Sequence, residues 1–408
     1  MLIDISTILW VITTLFIILS GLYLSFYLRF RHMKLTSIVN KNAFKLLNVS
    51  LAGKIGVGSI SGIAISILIG GKGTIFWIWI SSIILGIITY SEAKLGATIG
   101  SPKKYIKENL NKKRLSKLYS ILIVFIYLIS FILIQSNTII ISLEYTFHFN
   151  RLLILIFLIT IVLISINKDI ERISNIVSII VPIMGFLYIV IGLIVILNNI
   201  VMIPTIIKDI LKESISIKSL ISLPIIVGFQ RAIFSTEAGT GTTSTLLSIS
   251  KSKAKEEITM QVIGTYFITL VICTISAFII LTSNYDSLNI TNINGIEIVI
   301  YAFNYHFKEF GIIILSIITF LFAYSTIITS YFYAKENINT NNKTMVKIIV
   351  IIILILSNFV NPNIIWTLTD ILSSLVTLIN VYAIIKLRRY LRCNYDRKWL
   401  GSTSKRWI

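Results

Sequence analysis

Two stretches of the chain combine closely spaced glycines with hydroxyl residues inside long apolar runs. The first is Ala52-Gly53-Lys54-Ile55-Gly56-Val57-Gly58-Ser59-Ile60-Ser61-Gly62, and the second is Phe234-Ser235-Thr236-Glu237-Ala238-Gly239-Thr240-Gly241-Thr242-Thr243-Ser244. Unwound backbone at membrane depth is tolerated only where it is buried in protein or lines a wet cavity, so a G-x-G break there has chemical consequences. A half-helix beginning after Gly58 offers free N–H groups and a positive dipole end to a carboxylate. Carbonyls just before the break are left free for a small cation. The competing reading of Gly58-x-x-x-Gly62 is close helix packing. A phosphate-binding loop is excluded, since no strand precedes Gly56 and no G-K-[ST] follows.

Polar residues elsewhere in apolar runs are the next candidates, because each is costly at mid-bilayer and persists mainly when it faces the bundle interior. Glu237 lies in the second break and is either functional or paired with Arg231, six residues earlier. Gln135 and Asn137 are either glue between helices or ligand contacts. Ser325 and Thr326 are either ligands or hydroxyls bonded to their own helix. Lys54 and Lys94 are expected to snorkel to the cytoplasmic face. Glu92 and Asp370 read as structural caps or pairs. His32, His148 and His306 lie at separate span ends, and this excludes a clustered metal site. Cys273 and Cys393 fall at different depths and are not expected to pair.

The elements that must position these residues are membrane helices. Of 408 residues, 56% are hydrophobic and only 13% charged, with a mean hydropathy of +0.90; soluble domains carry about 25% charged residues. Apolar runs near 5–28, 47–70, 74–98, 118–147, 151–167, 176–199, 218–247, 258–283, 297–334, 345–360 and 363–387 predict an all-α integral membrane protein of about eleven transmembrane helices. The first is expected to be a retained helix, because no positive charge precedes it and no cleavage signal follows. Of 37 Lys and Arg, 28 fall in alternate loops or the C-terminal tail, which explains the net charge of +20 by topology and excludes a nucleic-acid-binding face. The same asymmetry predicts an N-terminus outside and a C-terminus in the cytoplasm. Breaks five spans apart point to a secondary transporter with inverted repeats. The expected organisation is an N-terminal helix and loop over 1–46, a first repeat over 47–167, a second over 176–387 and a basic tail over 388–408.

The residues resemble the alanine or glycine:cation symporters, sodium-coupled amino-acid transporters with the leucine-transporter fold. Gly70-Gly71-Lys72-Gly73-Thr74-Ile75-Phe76-Trp77-Ile78-Trp79 is similar to the family's GGPGAIFWMW, and Ile55-Gly56-Val57-Gly58-Ser59-Ile60 resembles its VGTGNI. Gln135-Ser136-Asn137 resembles QANS, Arg231 to Gly241 resembles RGLFSNEAGxG, Ala323-Tyr324-Ser325-Thr326 resembles FAFST, and Trp366 to Asp370 resembles WNLAD. The blocks run in family order from about residue 40 to 385. Val57 and Ser59 replace a Thr and an Asn, and Ser330 stands where members often carry Trp.

The resemblance implies a first helix outside a five-plus-five inverted-repeat core with two broken helices, in the cell (inner) membrane. It implies sodium-coupled symport of a small neutral amino acid, alanine or glycine in type, by alternating access, with the sodium ion as coupling ion and no other cofactor. The substrate would meet the N–H groups of Val57, Gly58 and Ser59 and the side chain of Gln135, with Phe234, Ser235 and Thr240 on the other broken helix. The cation would be held by carbonyls of Ala52, Ile55 and Phe322 and hydroxyls of Ser325 and Thr326, hard oxygens for a hard ion. Proton coupling through Glu237, with another amino acid as substrate, and a degenerate member that no longer transports are the alternatives. No H-E-x-x-H or G-x-S-x-G signature of an enzyme is present.

Overall fold

The computed structural model describes residues 2–30, 33, 41–167, 170–215, 223–250, 255–287, 295–338 and 343–392. Those residues contain helices and no strand. In chain order they are α1 (Leu2–Tyr27), α2 (Lys41–Lys54), α3 (Ser61–Gly70), α4 (Thr74–Thr98), α5 (Pro102–Glu108), α6 (Lys113–Phe147), α7 (Arg151–Ile166) and α8 (Ile170–Asn198). They continue as α9 (Ile203–Ile215), α10 (Leu223–Thr236), α11 (Thr242–Ile249), α12 (Lys255–Leu281), α13 (Gly295–Asn337), α14 (Lys343–Leu356) and α15 (Pro362–Lys386). Seven of these, α1, α4, α6, α8, α12, α13 and α15, are long and apolar enough to cross a membrane, and α3, α7, α10 and α14 are shorter apolar helices.

Local chemistry sets many boundaries. Asn361 Oδ1 accepts the Asn363 N–H at 2.9 Å and Pro362 opens α15, the arrangement in which a missing N–H is harmless. Asn150 caps α7 in the same way, accepting from Leu152 N–H at 2.8 Å. Pro182 lies inside α8 and has no N–H for the Ser178 carbonyl; Asn48 Nδ2 of α2 donates to that carbonyl at 3.4 Å. The proline thus creates an acceptor that ties α8 to the first broken helix.

Expectation and structure differ at two elements. The run 297–334 is not one span. Lys308 takes φ 56°, ψ −146°, so the residues before it form a separate helical piece. Its Gly295 packs so closely on α3 that a Cβ there would lie 2.5 Å from the Ser61 carbonyl oxygen. The interval 200–218, read as a loop, contains α9. Its Asp209 reaches Lys72 at 3.5 Å and its Glu213 accepts the Gly73 N–H at 3.2 Å, which seats α9 over the glycine turn between α3 and α4.

Helix α1 packs against α15 and α4 at the edge of the bundle. Trp10 Nε1 donates to the Asp370 carbonyl at 3.0 Å, and the Thr13 and Ser374 hydroxyls lie 2.6 Å apart. Its far face leaves Leu19 and Phe26 about two-thirds exposed or more, an apolar surface suited to lipid. The core lies between α2–α3, α6, α10–α11 and α13, where both breaks sit.

Candidate functional site

At the first break α2 ends at Lys54, Gly56 is extended (φ −122°, ψ −161°), and one 3-10 turn over Val57–Ser59 leads into α3. Gln135 Oε1 of α6 accepts the Val57 N–H at 3.2 Å. Ser59 Oγ donates back to the Gly56 carbonyl at 2.9 Å, while the Ser59 carbonyl accepts from Ser276 Oγ of α12 at 2.6 Å. The edge of the Phe234 ring abuts Gly58; a Cβ at Gly58 would lie 2.3 Å from Phe234 Cδ1. This glycine therefore makes room for an aromatic ring, a third role beside the two expected of it.

The carbonyls before the break meet α13. Thr326 Oγ1 donates to the Ala52 carbonyl at 3.0 Å and to the Phe322 carbonyl at 2.9 Å; Ser325 Oγ reaches the same two oxygens at 3.4 and 3.0 Å. Both hydroxyls bond their own helix, the second of the two readings, and each also reaches the broken helix. Thr326 Oγ1 and Gln135 Nε2 also flank Gly56, where a Cβ would lie 2.7 and 3.0 Å from them. Ile55 is buried one residue before, its N–H donating to Leu51 at 2.6 Å.

The second break uses left-handed backbone. Glu237 (φ 53°), Gly239 (φ 91°) and Gly241 (φ 94°) turn the chain from α10 into α11. Buried Glu92 of α4 receives the Gly241 N–H at 2.8 Å and Asn380 Nδ2 at 2.6 Å on one oxygen, placing a carboxylate at the start of α11 where the helix dipole favours it. Asn380 also donates to the Gly239 carbonyl at 2.9 Å and accepts from the Tyr105 hydroxyl. Glu92 is thus the cap expected of it.

Charged side chains within the spans pair differently from expectation. Arg231 Nη2 binds Asp370 Oδ2 of α15 at 2.8 Å, with its guanidinium 5.0 Å from the Trp366 ring centre, so Arg231 does not pair with Glu237. Lys54 does not snorkel. It is 2% exposed, its Nζ lies 3.4 Å from Thr243 Oγ1, and it faces the carboxylates of Glu237 and Glu92. The helix break turns it inward. Lys94 is likewise 5% exposed and donates to the Leu391 carbonyl at 2.6 Å. Glu237 is 1% exposed, and neither carboxylate oxygen makes a well-formed hydrogen bond to the described residues; Lys54, Thr242 and Tyr127 surround it.

Val57, Gly58, Gln135, Phe234, Ala52, Phe322, Ser325 and Thr326 therefore converge at the first break. The Ser59 N–H donates to the Gly56 carbonyl at 3.2 Å and only its carbonyl meets α12, while Ser235 is buried beside Cys273. Thr240 belongs to the second break alone: its hydroxyl donates to the Glu237 carbonyl at 2.7 Å and lies 3.3 Å from the Tyr127 hydroxyl, and its carbonyl accepts from Tyr119 at 2.7 Å. Asn137 holds α6 to the carbonyl of Ser357 at 2.9 Å, separating its role from that of Gln135. An aromatic run missed in the sequence joins the breaks: Tyr333, Tyr127, Phe131, Phe234 and Trp366, with neighbouring ring centres 4.9 to 5.4 Å apart. Its members lie on α6, α10, α13 and α15, so no local spacing displays it.

Two interrupted helices face each other in an all-helical bundle, one offering carbonyls to the hydroxyls of a third helix, the other capped by a buried carboxylate. These features define a membrane transport protein of the broken-helix type. The chain belongs to the sodium:alanine symporter family, whose sequence profile matches residues 1–398. It is 30% identical over 418 residues to the probable sodium/glutamine symporter GlnT of Bacillus subtilis (strain 168), covering 94% of this chain and 87% of the relative. It is 28% identical over 406 residues to the amino-acid carrier protein AlsT of the same strain, covering 91% and 86%. The crystal structure of MhsT in complex with L-phenylalanine shares the fold, with a TM-score of 0.64 over 85% of this chain and 88% of that one at 16% identity.

Proposed function

We propose that this protein couples inward sodium movement to uptake of a small neutral amino acid by alternating access. One observation carries the reading. The hydroxyls of Ser325 and Thr326 meet the carbonyls of Ala52 and Phe322 within hydrogen-bond distance, and the Val57–Gln135 contact lies on the other side of Gly56. A sodium ion drawn to the oxygens would pin α13 to the broken helix and fix the backbone that receives the substrate carboxylate. Gln135 occupies the Val57 N–H in this structure and would exchange it for the substrate. The family supports sodium and an amino acid as the transported pair; the side chain of that amino acid is set by Phe234, Trp366 and Ser330, where the wall departs from the family pattern.

In this reading the chain makes eleven crossings, with the N-terminus outside and the lysine-rich loops in the cytoplasm. The inverted repeats then run from α2 to α8 and from α10 to α15. That moves the boundary from 167–176 to the interval after Asn198, because equal halves need five crossings each. One positive charge gains ~2.3 kcal/mol per 100 mV, which supports roughly fifty-fold accumulation.

The test is thermal-shift titration of the purified protein with alanine, glycine and glutamine in sodium or potassium buffer. Ligand at about 100 times its Kd adds ~2.7 kcal/mol of stability. That stabilisation is expected in sodium only, and Ser325→Ala with Thr326→Ala should remove it. Equal stabilisation in potassium would place the coupling ion elsewhere.

A further inference from the structure

We infer that the lysine-rich end of α6 and α5 forms a binding site for the headgroup and one acyl chain of an anionic phospholipid of the bilayer. A cleft of about 470 Å³ opens there between α5, α6 and the end of α13. Its rim carries Lys103, Lys107, Lys113 and Lys117, and among the described residues its lining contains no carboxylate. Three of the four are exposed; Lys103 is half-buried and donates to the Asn337 carbonyl at 3.2 Å.

The arrangement follows from helix geometry. Lys113, Lys117, Ile121 and Phe125 recur every four residues, so they form one stripe along α6. The stripe begins in ammonium groups and continues as Ile121, Val124 and Phe125, which line the same cleft; Ile121 and Phe125 remain 45% and 49% exposed on the outer face of the bundle. A phosphodiester and a hydrocarbon chain are joined in that order. Ammonium groups satisfy the phosphate as point charges while their stems lie along apolar surface.

Lys103 and Lys107 also crowd each other. Burial and the neighbouring charge of Lys107 push the Lys103 pKa down, opposed by Glu336 of α13. An anion placed among them would relieve that repulsion. Basic pockets between helices at the cytoplasmic face are where anionic headgroups are held, and the positive-inside asymmetry puts this end on that side. The site does not depend on the transport reading.

The experiment measures lipid retention by native mass spectrometry of the full-length protein in micelles containing phosphatidylglycerol or phosphatidylcholine. Wild type should retain phosphatidylglycerol preferentially. Each lysine near an anionic surface contributes about five-fold in affinity, so Lys107→Gln with Lys117→Gln should weaken retention about 25-fold. Lys104→Gln with Arg114→Gln removes the same charge from exposed positions on the same two helices outside the cleft, and should leave retention near wild type. Val124→Trp keeps every charge, fills the apolar wall and should also reduce retention. Equal loss in the two charge-neutralised pairs would overturn the site in favour of diffuse surface attraction. Wild-type retention by Val124→Trp would overturn the acyl-chain placement. Displacement of the lipid by inorganic phosphate at millimolar concentration would reassign the lysines to a free anion.

Discussion

Gly58 and Lys54 show how the environment of a side chain decides between roles that its type leaves open. With the Phe234 ring 2.3 Å from where a Cβ would stand, Gly58→Ala overpacks the break, and such overpacking costs about 1–3 kcal/mol. Phe234→Leu alone should also destabilise, by loss of its stacking on Phe131 and its tilted contact with Trp366. The double variant should be more stable than the sum of the two predicts, a coupling of about 1 kcal/mol; strictly additive unfolding midpoints would return Gly58 to another role. Lys54 is the cation facing Glu237 and Glu92. Removing one partner of a buried charge group costs about 3–5 kcal/mol. Thermal unfolding of Lys54→Met is expected to show a loss of that size, and Lys54→Met with Glu237→Gln should recover much of it. A Lys54→Met protein as stable as wild type would show that the ammonium does not neutralise these carboxylates.

At the scale of elements, both breaks are legible from G-x-G flanked by hydroxyls inside an apolar run, because unwound backbone needs glycine in one place and φ > 0 in the other. Their partners are not. Arg231 reaches Asp370 across 139 positions, and the inward turn of Lys54 depends on where the helix stops. The hinge at Lys308 gives no signal, since its φ 56°, ψ −146° is a region that glycine would mark and lysine hides. Helix α9 was visible in principle: Ile203, Ile206, Ile207, Ile210 and Leu211 recur at helical spacing, but its polar face resembles a loop. Lysine in such a conformation costs of order 1–3 kcal/mol. Lys308→Gly should therefore raise stability by about 1 kcal/mol in a denaturation assay, whereas Lys308→Ala should not. An equal response to glycine and alanine would mean that this hinge carries no strain.

Over the whole molecule, composition and the placement of Lys and Arg suffice for the membrane bundle and its class, while the groups proposed to hold cation and substrate assemble only when α2, α6, α10 and α13 meet. In the proposed function, sodium on the oxygens of Ala52, Phe322, Ser325 and Thr326 drives an amino acid bound at the neighbouring break. Uptake of radiolabelled alanine into proteoliposomes tests it most directly, with an inward sodium gradient, with equal sodium on both sides, and with a proton gradient in potassium buffer. The predicted result is accumulation with the sodium gradient alone, surviving a protonophore and weakened at limiting sodium by Thr326→Ala. Accumulation that follows the proton gradient without sodium, and is lost in Glu237→Gln, would contradict it.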